Sequence, residues 1–520
     1  MKDTVQDILS YFNPFKKGNL AKDFYDFPIE DFERLLKEKD EDFWRQKSEE
    51  RALTLFHVTA ERVPAYKDFL KKQNINHARI ASIKEFETLP VLTKKNYIQK
   101  YPPPALCLDG DISGSTLVAI SSGTSGEPTF WSRGAYQEFE AAVTHELLYR
   151  SLFEIDKYKT LLVIGFPMGI YVSGIATLLP SERVAQKGYH LTIAPVGNNK
   201  ADMLRIVKFL KDEYEQIVLV GHPLFIKDVI ETGSAENINW AQRRLRMMFC
   251  SEGFSTEWRE YVIKAAGIPF SLRNVVSTYG SSELLLMAYG TPLCALARAV
   301  AEKNPQFRDQ VFGEGSMPFL FQYNPLLRYI ESIDNELVFT SASGVPLIRY
   351  NVQDRGKTLG FSEIFSPLKN SGADFESSTK EEVHIKTPWQ LPFVTLQGRS
   401  DDAVVFYAAN IYKEHVQQAL GYEPFLKHIT GKFTMEKGYL KNMDEYLDIH
   451  IELRNGVKAE ENLAQTIQKY LVYYLQKINL EYRDASSRLG KDLRPRIKLW
   501  PYQDQTYFKA GVKPRYIIKS

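Results

Sequence analysis

The sequence predicts an α/β fold in which a large N-terminal domain with helix-covered sheets is joined by a hinge to a small α+β C-terminal domain. The length of 520 residues exceeds what one small module needs and indicates more than one domain. Hydrophobic residues make up 44% and charged residues 25%, the balance of a globular protein with enough apolar surface for a core. The third observation is the order of apolar runs along the chain, which distinguishes the two domains.

The N-terminal domain is predicted over residues 1–397. Its first 110 residues are expected to form a helical lead-in, because residues 30–100 show helical periodicity with many charges and with prolines that close helices. Between residues 116 and 350, short apolar runs alternate with helical stretches, which is typical of sheets covered by helices. These runs are TLVAIS, TLLVIGF, HLTIAPV, QIVLVG, LRMMFCS, RNVVSTYG and ELVFTS.

The C-terminal domain is predicted over residues 398–520, where strand-like runs surround one long helix. The runs are VVFYAANIY, HITGKFTM, EYLDIHIELRNG and RPRIKLW, and the helix is AEENLAQTIQKYLVYYLQKI. Before the boundary, residues 366–382 are charged and rich in Ser and Gly, which predicts a surface loop or the approach to the domain boundary.

Charge and cysteine usage exclude several classes of protein. Lys plus Arg is 66 and Asp plus Glu is 64, so the net charge of +2 gives no global positive field, and neither nucleic acid nor an anionic membrane is an expected partner. Three widely spaced cysteines fit neither a disulfide framework nor a structural zinc site. Because the N-terminus also lacks the apolar run of a secretion signal, we expect a cytoplasmic protein.

One uncharged stretch, Thr160 to Ser181, is long enough for a membrane helix. Three glycines and two prolines interrupt it, at Gly165, Gly169, Gly174, Pro167 and Pro180. These residues favour a buried strand, a glycine-rich turn and a packed helix over a membrane span.

The most specific motif is SSGTSGEPT at residues 121–129, which follows the apolar strand TLVAI. Two glycines allow backbone angles at which N–H groups can converge on phosphate oxygens, while Ser and Thr hydroxyls add donors. A Ser/Gly-rich surface turn is the alternative. The motif is not a nucleoside-triphosphatase P-loop, because no GK[ST] follows the glycines.

This motif resembles the phosphate-binding loop of the adenylate-forming superfamily, which includes acyl-CoA synthetases, peptide-synthetase adenylation domains and luciferases. It resembles in particular the phenylacetate-CoA ligase branch, in which Thr rather than Lys follows the proline, and the middle segment of this branch is shared with capsule-biosynthesis relatives. Further segments are similar to motifs of this family in the family's order, over roughly residues 50 to 520. They are VPAYKDFL, LPVLTKKNY, GHPLFIKDVI, FCSEGFSTEWR, STYGSSE at 277–283, RY at 349–350 through DRG at 354–356, and GRSDD at 398–402.

The resemblance implies that several motifs bind ATP, all of them in the N-terminal domain except the one that contains Arg399. The loop would hold the phosphates, a middle segment would line the adenine, and the tyrosine of the STYGSSE motif would stack on it. The ATP-binding residues so implied are Ser121, Ser122, Gly123, Thr124, Ser125, Gly126, Ser251, Glu252, Gly253, Thr278, Tyr279, Gly280, Ser281, Ser282, Asp354 and Arg399. From the residues alone, an aromatic side chain that closes a strand is the alternative for Tyr279.

Charged residues in these motifs have roles that fit their chemistry. The resemblance implies that Glu283 holds Mg²⁺, for which a carboxylate oxygen is a suitable hard ligand. It implies that Asp354 accepts hydrogen bonds from the ribose hydroxyls, since a carboxylate can accept two. Arg399 would add positive charge beside the ribose and phosphate. The structural alternatives are a solvated glutamate, a helix or turn cap and a charged turn.

Adenylation needs stabilisation of charge on the α-phosphate more than it needs a general acid. The family supplies a lysine near its C-terminus, and Lys513 in GVKPRY matches that position best, with Lys509 as second candidate. A solvated lysine in a basic tail is the alternative. The resemblance also implies that Asp401 is the hinge at which the small domain turns.

Two residues depart from the family pattern. Ala408 stands where the branch has a glycine after the hinge strand, and Lys413 stands where a proline is common. In the family this glycine lets the pantetheine arm of CoA pass close to the backbone, and an alanine methyl group would narrow that passage.

The resemblance implies an ATP-dependent ligase that forms an acyl-adenylate from a small carboxylic acid, releases pyrophosphate and makes an acyl-CoA thioester. Phe166, His222 and Pro223 are expected to border the acyl pocket, with core packing as the alternative. Two other functions stay open: transfer to an amine, hydroxyl or carrier protein, and a non-catalytic binding or scaffold protein on the same fold. The sequence leaves open which acid is used and whether the chain forms a homodimer.

Overall fold

The computed structural model describes most of the chain. The described residues are 2–15, 20–121, 129–169, 172–250, 254–313, 317–372, 375, 378, 383–399, 403–489, 492–508 and 516–518. They form two compact units. The first unit comprises the described residues of 1–121 and 130–398, and the second comprises those of 399–520 together with Thr129.

Helices occur along the whole chain and are interspersed with single 3₁₀ turns. The α-helices are α1 (Lys2–Tyr11), α2 (Leu20–Asp26), α3 (Ile29–Glu38), α4 (Glu41–Arg62), α5 (Pro64–Lys72), α6 (Ile83–Phe86), α7 (Ala135–Phe153), α8 (Val172–Gln186), α9 (Lys200–Leu210), α10 (Pro223–Ala235), α11 (Thr256–Ala265), α12 (Pro292–Lys303), α13 (Pro305–Phe312), α14 (Phe361–Lys369), α15 (Val383–Lys386), α16 (Lys413–Leu420), α17 (Glu423–Leu426), α18 (Glu461–Ile478) and α19 (Leu480–Arg488).

Strands begin after the helical lead-in. They are β1 (Leu117–Ser121), β2 (Thr129–Arg133), β3 (Thr160–Ile164), β4 (Leu191–Ala194), β5 (Gln216–Gly221), β6 (Arg244–Phe249), β7 (Val275–Ser281), β8 (Leu285–Tyr289), β9 (Phe319–Gln322), β10 (Tyr329–Ile333), β11 (Glu336–Ser341), β12 (Leu347–Arg355), β13 (Thr358–Leu359), β14 (Phe393–Leu396), β15 (Gly398–Arg399), β16 (Ala403–Phe406), β17 (Ala409–Tyr412), β18 (Ile429–Tyr439), β19 (Glu445–Leu453), β20 (Arg496–Trp500) and β21 (Ile517–Ile518).

A nine-stranded sheet in the first unit has the order β13-β14-β9-β8-β7-β6-β5-β3-β4. The five strands from β4 to β7 are parallel, and the remaining neighbours are antiparallel. All residues of β3 and β5 are buried, which explains their continuous apolar sequences, because a parallel strand covered on both faces has no polar side. The α/β prediction is confirmed.

The uncharged stretch from Thr160 to Ser181 contains β3 and most of α8, as the glycines and prolines predict. A 2.8 Å hydrogen bond joins the hydroxyl groups of Tyr149 on α7 and Ser181 on α8, and so connects the two helices. Among the described residues, no helix combines the length and apolarity that a membrane crossing requires.

The segment 366–382 is not a loop throughout, because α14 extends to Lys369. The Glu363 carboxylate accepts a 2.6 Å hydrogen bond from the Gly360 N–H and so caps the start of α14. Phe361, Ile364 and Leu368 are buried on one face of this helix, and this apolar face outweighs the charged, Ser and Gly residues on which the loop prediction depended.

A second sheet of the first unit contains β10, β11 and β12 in antiparallel order. The second unit contains a four-stranded sheet of order β20-β19-β18-β21, in which β18 and β19 form a long antiparallel pair. Strands β16 and β17 form a separate hairpin in that unit. The apolar runs VVFYAANIY, HITGKFTM, EYLDIHIELRNG and RPRIKLW therefore form strands.

Candidate active site

The STYGSSE motif lies at the carboxyl end of β7, which is the last of the five parallel strands. The Thr278 hydroxyl donates a 2.9 Å hydrogen bond to the carbonyl of Phe249 and so joins the ends of β7 and β6. The Ser281 hydroxyl accepts a hydrogen bond from the Leu284 N–H at 3.3 Å in the turn that leads to β8. The carboxyl ends of parallel strands are where ligands bind in α/β sheets.

Tyr279 and Asp354 come into contact although 75 residues separate them. The Tyr279 hydroxyl donates a 2.5 Å hydrogen bond to Asp354 Oδ2, and both residues are more than nine-tenths buried. The Tyr279 ring also packs against Phe321, with centroids 5.8 Å apart and an interplanar angle of 30°. The packing thus joins the tyrosine motif on β7 to the aspartate motif on β12. Adenine stacking by Tyr279 and ribose binding by Asp354 stay predictions.

The strand that carries Asp354 is held at its start by Arg349. The buried guanidinium of Arg349 makes an ion pair with Glu331 at 2.7 Å and donates to the carbonyl of Leu89. Leu92 donates its N–H to the Arg349 carbonyl at 2.9 Å, and its own carbonyl accepts the Asn351 N–H at 2.8 Å. The segment LPVLTKKNY therefore lies alongside β12.

The same segment supplies a cation that the sequence analysis did not single out. Lys94 donates a 3.2 Å hydrogen bond from Nζ to the hydroxyl of Ser121, the first residue of the SSGTSGEPT motif. Trp131 Nε1 donates to the same hydroxyl at 3.0 Å. The sequence signal was present, because LPVLTKKNY is one of the segments that carry the family resemblance, but its lysines were not assigned a role.

Glu283 is partly exposed at the end of the motif. Its main-chain carbonyl accepts a 3.4 Å hydrogen bond from Gln137 Nε2, and no described residue donates a hydrogen bond to its carboxylate. The carboxylate is therefore available as a hard oxygen ligand, and the residue fits a magnesium ion bound together with phosphate oxygens. Within the described part of the chain, no group of three or more His, Cys, Asp or Glu side chains forms a metal cluster of its own.

Phe166 and His222 follow the carboxyl ends of β3 and β5, which are neighbours in the sheet. Their rings form a T-shaped contact with centroids 5.1 Å apart, and Pro223 begins α10. Strand β4 lies on the other side of β3, so the strand order reverses at this point. Such a reversal opens a crevice between the loops, which suits a ligand pocket. The assignment of the three residues to the acyl pocket stays a prediction.

Ala408 occupies a backbone conformation that favours glycine. Tyr407 and Ala408 form the two-residue turn between β16 and β17 with φ of 48° and 63°. The Tyr407 N–H donates to Glu445 Oε2 at 2.9 Å, which fixes the turn against β19. Alanine is therefore under backbone strain at the position where the family has glycine. Lys413, the other departure, begins α16 with its Nζ 5.4 Å from the centroid of the Tyr516 ring.

Several site residues lie outside the description. Arg399 is the last residue of β15, and its side chain lies outside the described part of the structure. The predicted residues outside the described ones are Ser122, Gly123, Thr124, Ser125, Gly126, Ser251, Glu252, Gly253, Asp401, Lys509 and Lys513. Their proposed roles stay predictions.

Comparison with known proteins gives a likeness of structure. The chain is similar to a solved structure of 2-hydroxyisobutyryl-CoA ligase in complex with 2-HIB-AMP and CoA in the thioesterification state, with a TM-score of 0.62, 16% identity, and coverage of 93% of this chain and 90% of that chain. It is also similar to an open conformation of that ligase in complex with 2-HIB-AMP and CoA, with a TM-score of 0.50, 16% identity and 90% coverage of each chain. No protein-family model matches the sequence, and no curated protein sequence does. The chain therefore has the fold of adenylate-forming acyl-CoA ligases.

Proposed function

We propose that the protein is an ATP-dependent ligase that converts a carboxylic acid to its acyl-adenylate with release of pyrophosphate, and then transfers the acyl group to the thiol of CoA. The observation that carries this proposal is the 2.5 Å hydrogen bond between Tyr279 and Asp354, which brings two distant family motifs together at the carboxyl end of the parallel strands. The order of the sequence motifs and the fold likeness support it.

In the first half-reaction, a carboxylate oxygen of the acid attacks the α-phosphorus, and the bond to the pyrophosphate oxygen breaks. Tyr279 and Asp354 would hold the nucleoside, and Lys94 would add positive charge beside the phosphate loop through its contact with Ser121. Lys513 is proposed to stabilise the charge that develops on the α-phosphate, because electrostatic stabilisation is the main requirement of this step.

Glu283 is proposed to hold the Mg²⁺ ion that accompanies ATP. Its carboxylate has no hydrogen-bond donor among the described residues, so none of these residues competes with a cation for it. The ion, when bound, would offset negative charge on the phosphate oxygens.

In the second half-reaction, the thiol sulfur attacks the acyl carbon and AMP leaves. We propose that residues 1–397 form the adenylate-forming domain and residues 398–520 a mobile domain that turns at Asp401, with Arg399 beside the ribose and phosphate. Phe166, His222 and Pro223 are proposed to border the acyl group. We also propose that the chain belongs to the phenylacetate-CoA ligase branch, on the basis of the Thr that follows the loop proline and of the motif order.

Transfer to an amine, a hydroxyl or a carrier protein is the second candidate. It is favoured by Ala408, whose methyl group stands in a turn at φ 63° where the family has glycine. If the pantetheine arm passes this turn, the methyl group reduces the space for it.

The test is a screen of aryl, fatty and sugar-linked carboxylic acids for pyrophosphate release from ATP, with and without CoA. We expect pyrophosphate and AMP with the correct acid, and no reaction of the Asp354→Ala variant. ADP as product would overturn the proposal, and the absence of both ATP binding and turnover with any acid would favour a non-catalytic protein. Acyl-adenylate that accumulates in the presence of CoA would indicate another acceptor.

A further inference from the structure

The turn that carries Glu283 is fixed by hydrogen bonds to two consecutive carbonyl groups. Gln137 Nε2 donates to the Glu283 carbonyl at 3.4 Å, and Arg328 Nη2 donates to the Leu284 carbonyl at 2.9 Å. We propose that Arg328 and its partner Glu140 are positioning residues that hold Glu283 in place for the magnesium ion of the nucleotide complex. This inference rests on the proposed role of Glu283 as a metal ligand.

Arg328 is held by a buried carboxylate. Its Nη1 is 2.8 Å from Glu140 Oε2, and Arg51 Nη2 is 2.9 Å from the other oxygen of the same carboxylate. Arg328 is 3% exposed and Glu140 is 1% exposed. Because a charge at this depth is stabilised only by its partners, the planar guanidinium of Arg328 has little freedom to move.

The two contacts to the turn start from one face of α7. Gln137 and Glu140 are three residues apart, so their side chains lie on the same side of that helix. Gln137 reaches the Glu283 carbonyl directly, and Glu140 reaches the Leu284 carbonyl through Arg328. Helix α7 therefore sets the position of both residues of the turn.

The backbone after Glu283 adopts a conformation that needs such support. Leu285 is buried with φ of 56°, a left-handed conformation that is unfavourable for a bulky residue. A methyl group at Gly280 would lie 2.6 Å from the Leu285 carbonyl oxygen, so the turn folds back closely on the strand before it. Strained backbone of this kind persists only where its surroundings hold it. The contacts from Gln137 and Arg328 are such a restraint.

Accurate placement matters for magnesium in particular. The ion needs near-ideal octahedral geometry with oxygen ligands at about 2.0–2.1 Å, so a small displacement of the Glu283 carboxylate weakens the bond. Removal of groups that hold metal ligands in place typically changes metal affinity by about 10- to 100-fold, and Gln137 and Arg328 hold the main chain that carries the proposed ligand. We expect the binding of metal-free ATP to change little, because the proposed role of Glu283 is to bind the metal ion and not the nucleotide.

The experiment uses the whole 520-residue chain and Mn²⁺ as a probe for the magnesium site. Mn²⁺ bound to the ATP complex is titrated by electron paramagnetic resonance, and ATP affinity is measured separately in EDTA. We expect Arg328→Met to weaken Mn²⁺ binding on the order of tenfold with little change in ATP affinity. Arg328→Lys is the second variant; it retains the charge beside Glu140 but cannot reach both Glu140 and the Leu284 carbonyl with one planar group.

Lys187→Met is the matched control. Lys187 also joins a buried carboxylate of α7 to a main-chain carbonyl, since its Nζ is 2.7 Å from Glu146 Oε2 and 3.1 Å from the Phe27 carbonyl oxygen. It has no described contact with the turn at Glu283. We expect this variant to lower the melting temperature but to leave Mn²⁺ affinity unchanged.

Glu283→Gln separates the two hypotheses. If this variant leaves Mn²⁺ affinity unchanged, the proposed metal role of Glu283 is wrong. If it weakens Mn²⁺ binding while both Arg328 variants match the Lys187→Met control, the metal role stands and the positioning role of Arg328 is wrong.

Discussion

The phenol of Tyr279 donates a 2.5 Å hydrogen bond to the carboxylate of Asp354, and both groups are buried. Hydrogen bonds to an ionised acceptor are about twice as strong as neutral ones, so this contact fixes the orientation of both side chains. A residue proposed to contact adenine and a residue proposed to contact ribose are therefore held together by the protein's own packing. Five predictions test this site and the stability of the fold.

Removal of the Tyr279 hydroxyl should weaken ATP binding. The Tyr279→Phe variant keeps the ring that packs on Phe321 but leaves Asp354 without this donor, and we expect the dissociation constant for ATP to rise about tenfold. Calorimetric titration with ATP measures the change. The control is Tyr289→Phe on the neighbouring strand β8, because the buried Tyr289 hydroxyl has no hydrogen-bond partner among the residues that the structure describes. An equal loss in both variants would contradict a specific role for the Tyr279–Asp354 contact.

Lys94 should contribute to the binding of ATP through the phosphates. Lys94→Ala removes the cation that contacts Ser121 at the start of the loop, and the loss of one charge-assisted contact should raise the dissociation constant for ATP about tenfold. The affinity for adenosine, which has no phosphate, should change little. Lys95→Ala is a close control, since its side chain is exposed next to Lys94. Parallel losses of adenosine and ATP affinity would indicate that Lys94 is structural.

Lys513 should be needed for adenylation and not for acyl transfer. Lys513→Ala should slow pyrophosphate release by about two to three orders of magnitude, the scale expected when one transition-state donor is lost. Transfer from a supplied acyl-adenylate to CoA should continue. Lys509→Ala is the control, and a larger loss of adenylation in that variant would assign the role to Lys509 instead.

Ala408→Gly should relieve backbone strain and change acceptor use. Glycine accepts φ of 63° without a steric cost, so the melting temperature should rise by an amount that corresponds to about 1 kcal/mol. If the methyl group narrows the CoA passage, the rate of thioester formation should also rise. Asn335→Gly is the matched control. Asn335 is the second residue of the two-residue turn between β10 and β11, as Ala408 is between β16 and β17, and its φ is 62°. The Asn335→Gly variant should leave the rate of thioester formation with CoA unchanged. A rise in that rate in this variant would show that a faster reaction does not require a wider CoA passage at residue 408.

His145 should make the first unit sensitive to acid. Burial lowers the pKa of His145 to about 4, and its Nδ1 donates to the Ala141 carbonyl at 2.7 Å. The unfolded chain, with a histidine pKa of about 6.5, binds an extra proton between these values, so the free energy of unfolding decreases as pH falls from about 6.5 to about 4. At about pH 5 the contribution is on the order of 2 kcal/mol.

His145→Met removes this proton uptake, so the loss of unfolding free energy between neutral and acidic pH should be smaller in the variant. Urea denaturation at both pH values measures it. His428→Met is the control, because His428 is exposed. In this variant the free energy of unfolding should depend on pH as it does in the parent protein. A parent-like pH dependence in His145→Met would show that another group controls acid unfolding.

Local sequence determined the elements of the fold. The apolar runs of β3 and β5 predict buried strands because a covered parallel strand is apolar at every position, and the runs after Gly398 predict the strands of the second unit. The order of the motifs likewise predicted which residues to place in the candidate site. Helix α14 was missed because its burial depends on the apolar face around Ile364, and that face is weaker as a sequence signal than the Ser, Pro and Gly residues nearby.

The contacts of the site were decided by the tertiary structure. Tyr279 meets Asp354 across 75 residues, Lys94 meets Ser121 across 27, and Arg328 meets Leu284 across 44. No periodicity or spacing encodes these pairs. They form because the packing of the sheets and α7 brings polar groups into a buried region, where a hydrogen bond to the nearest partner is far more favourable than an unsatisfied group.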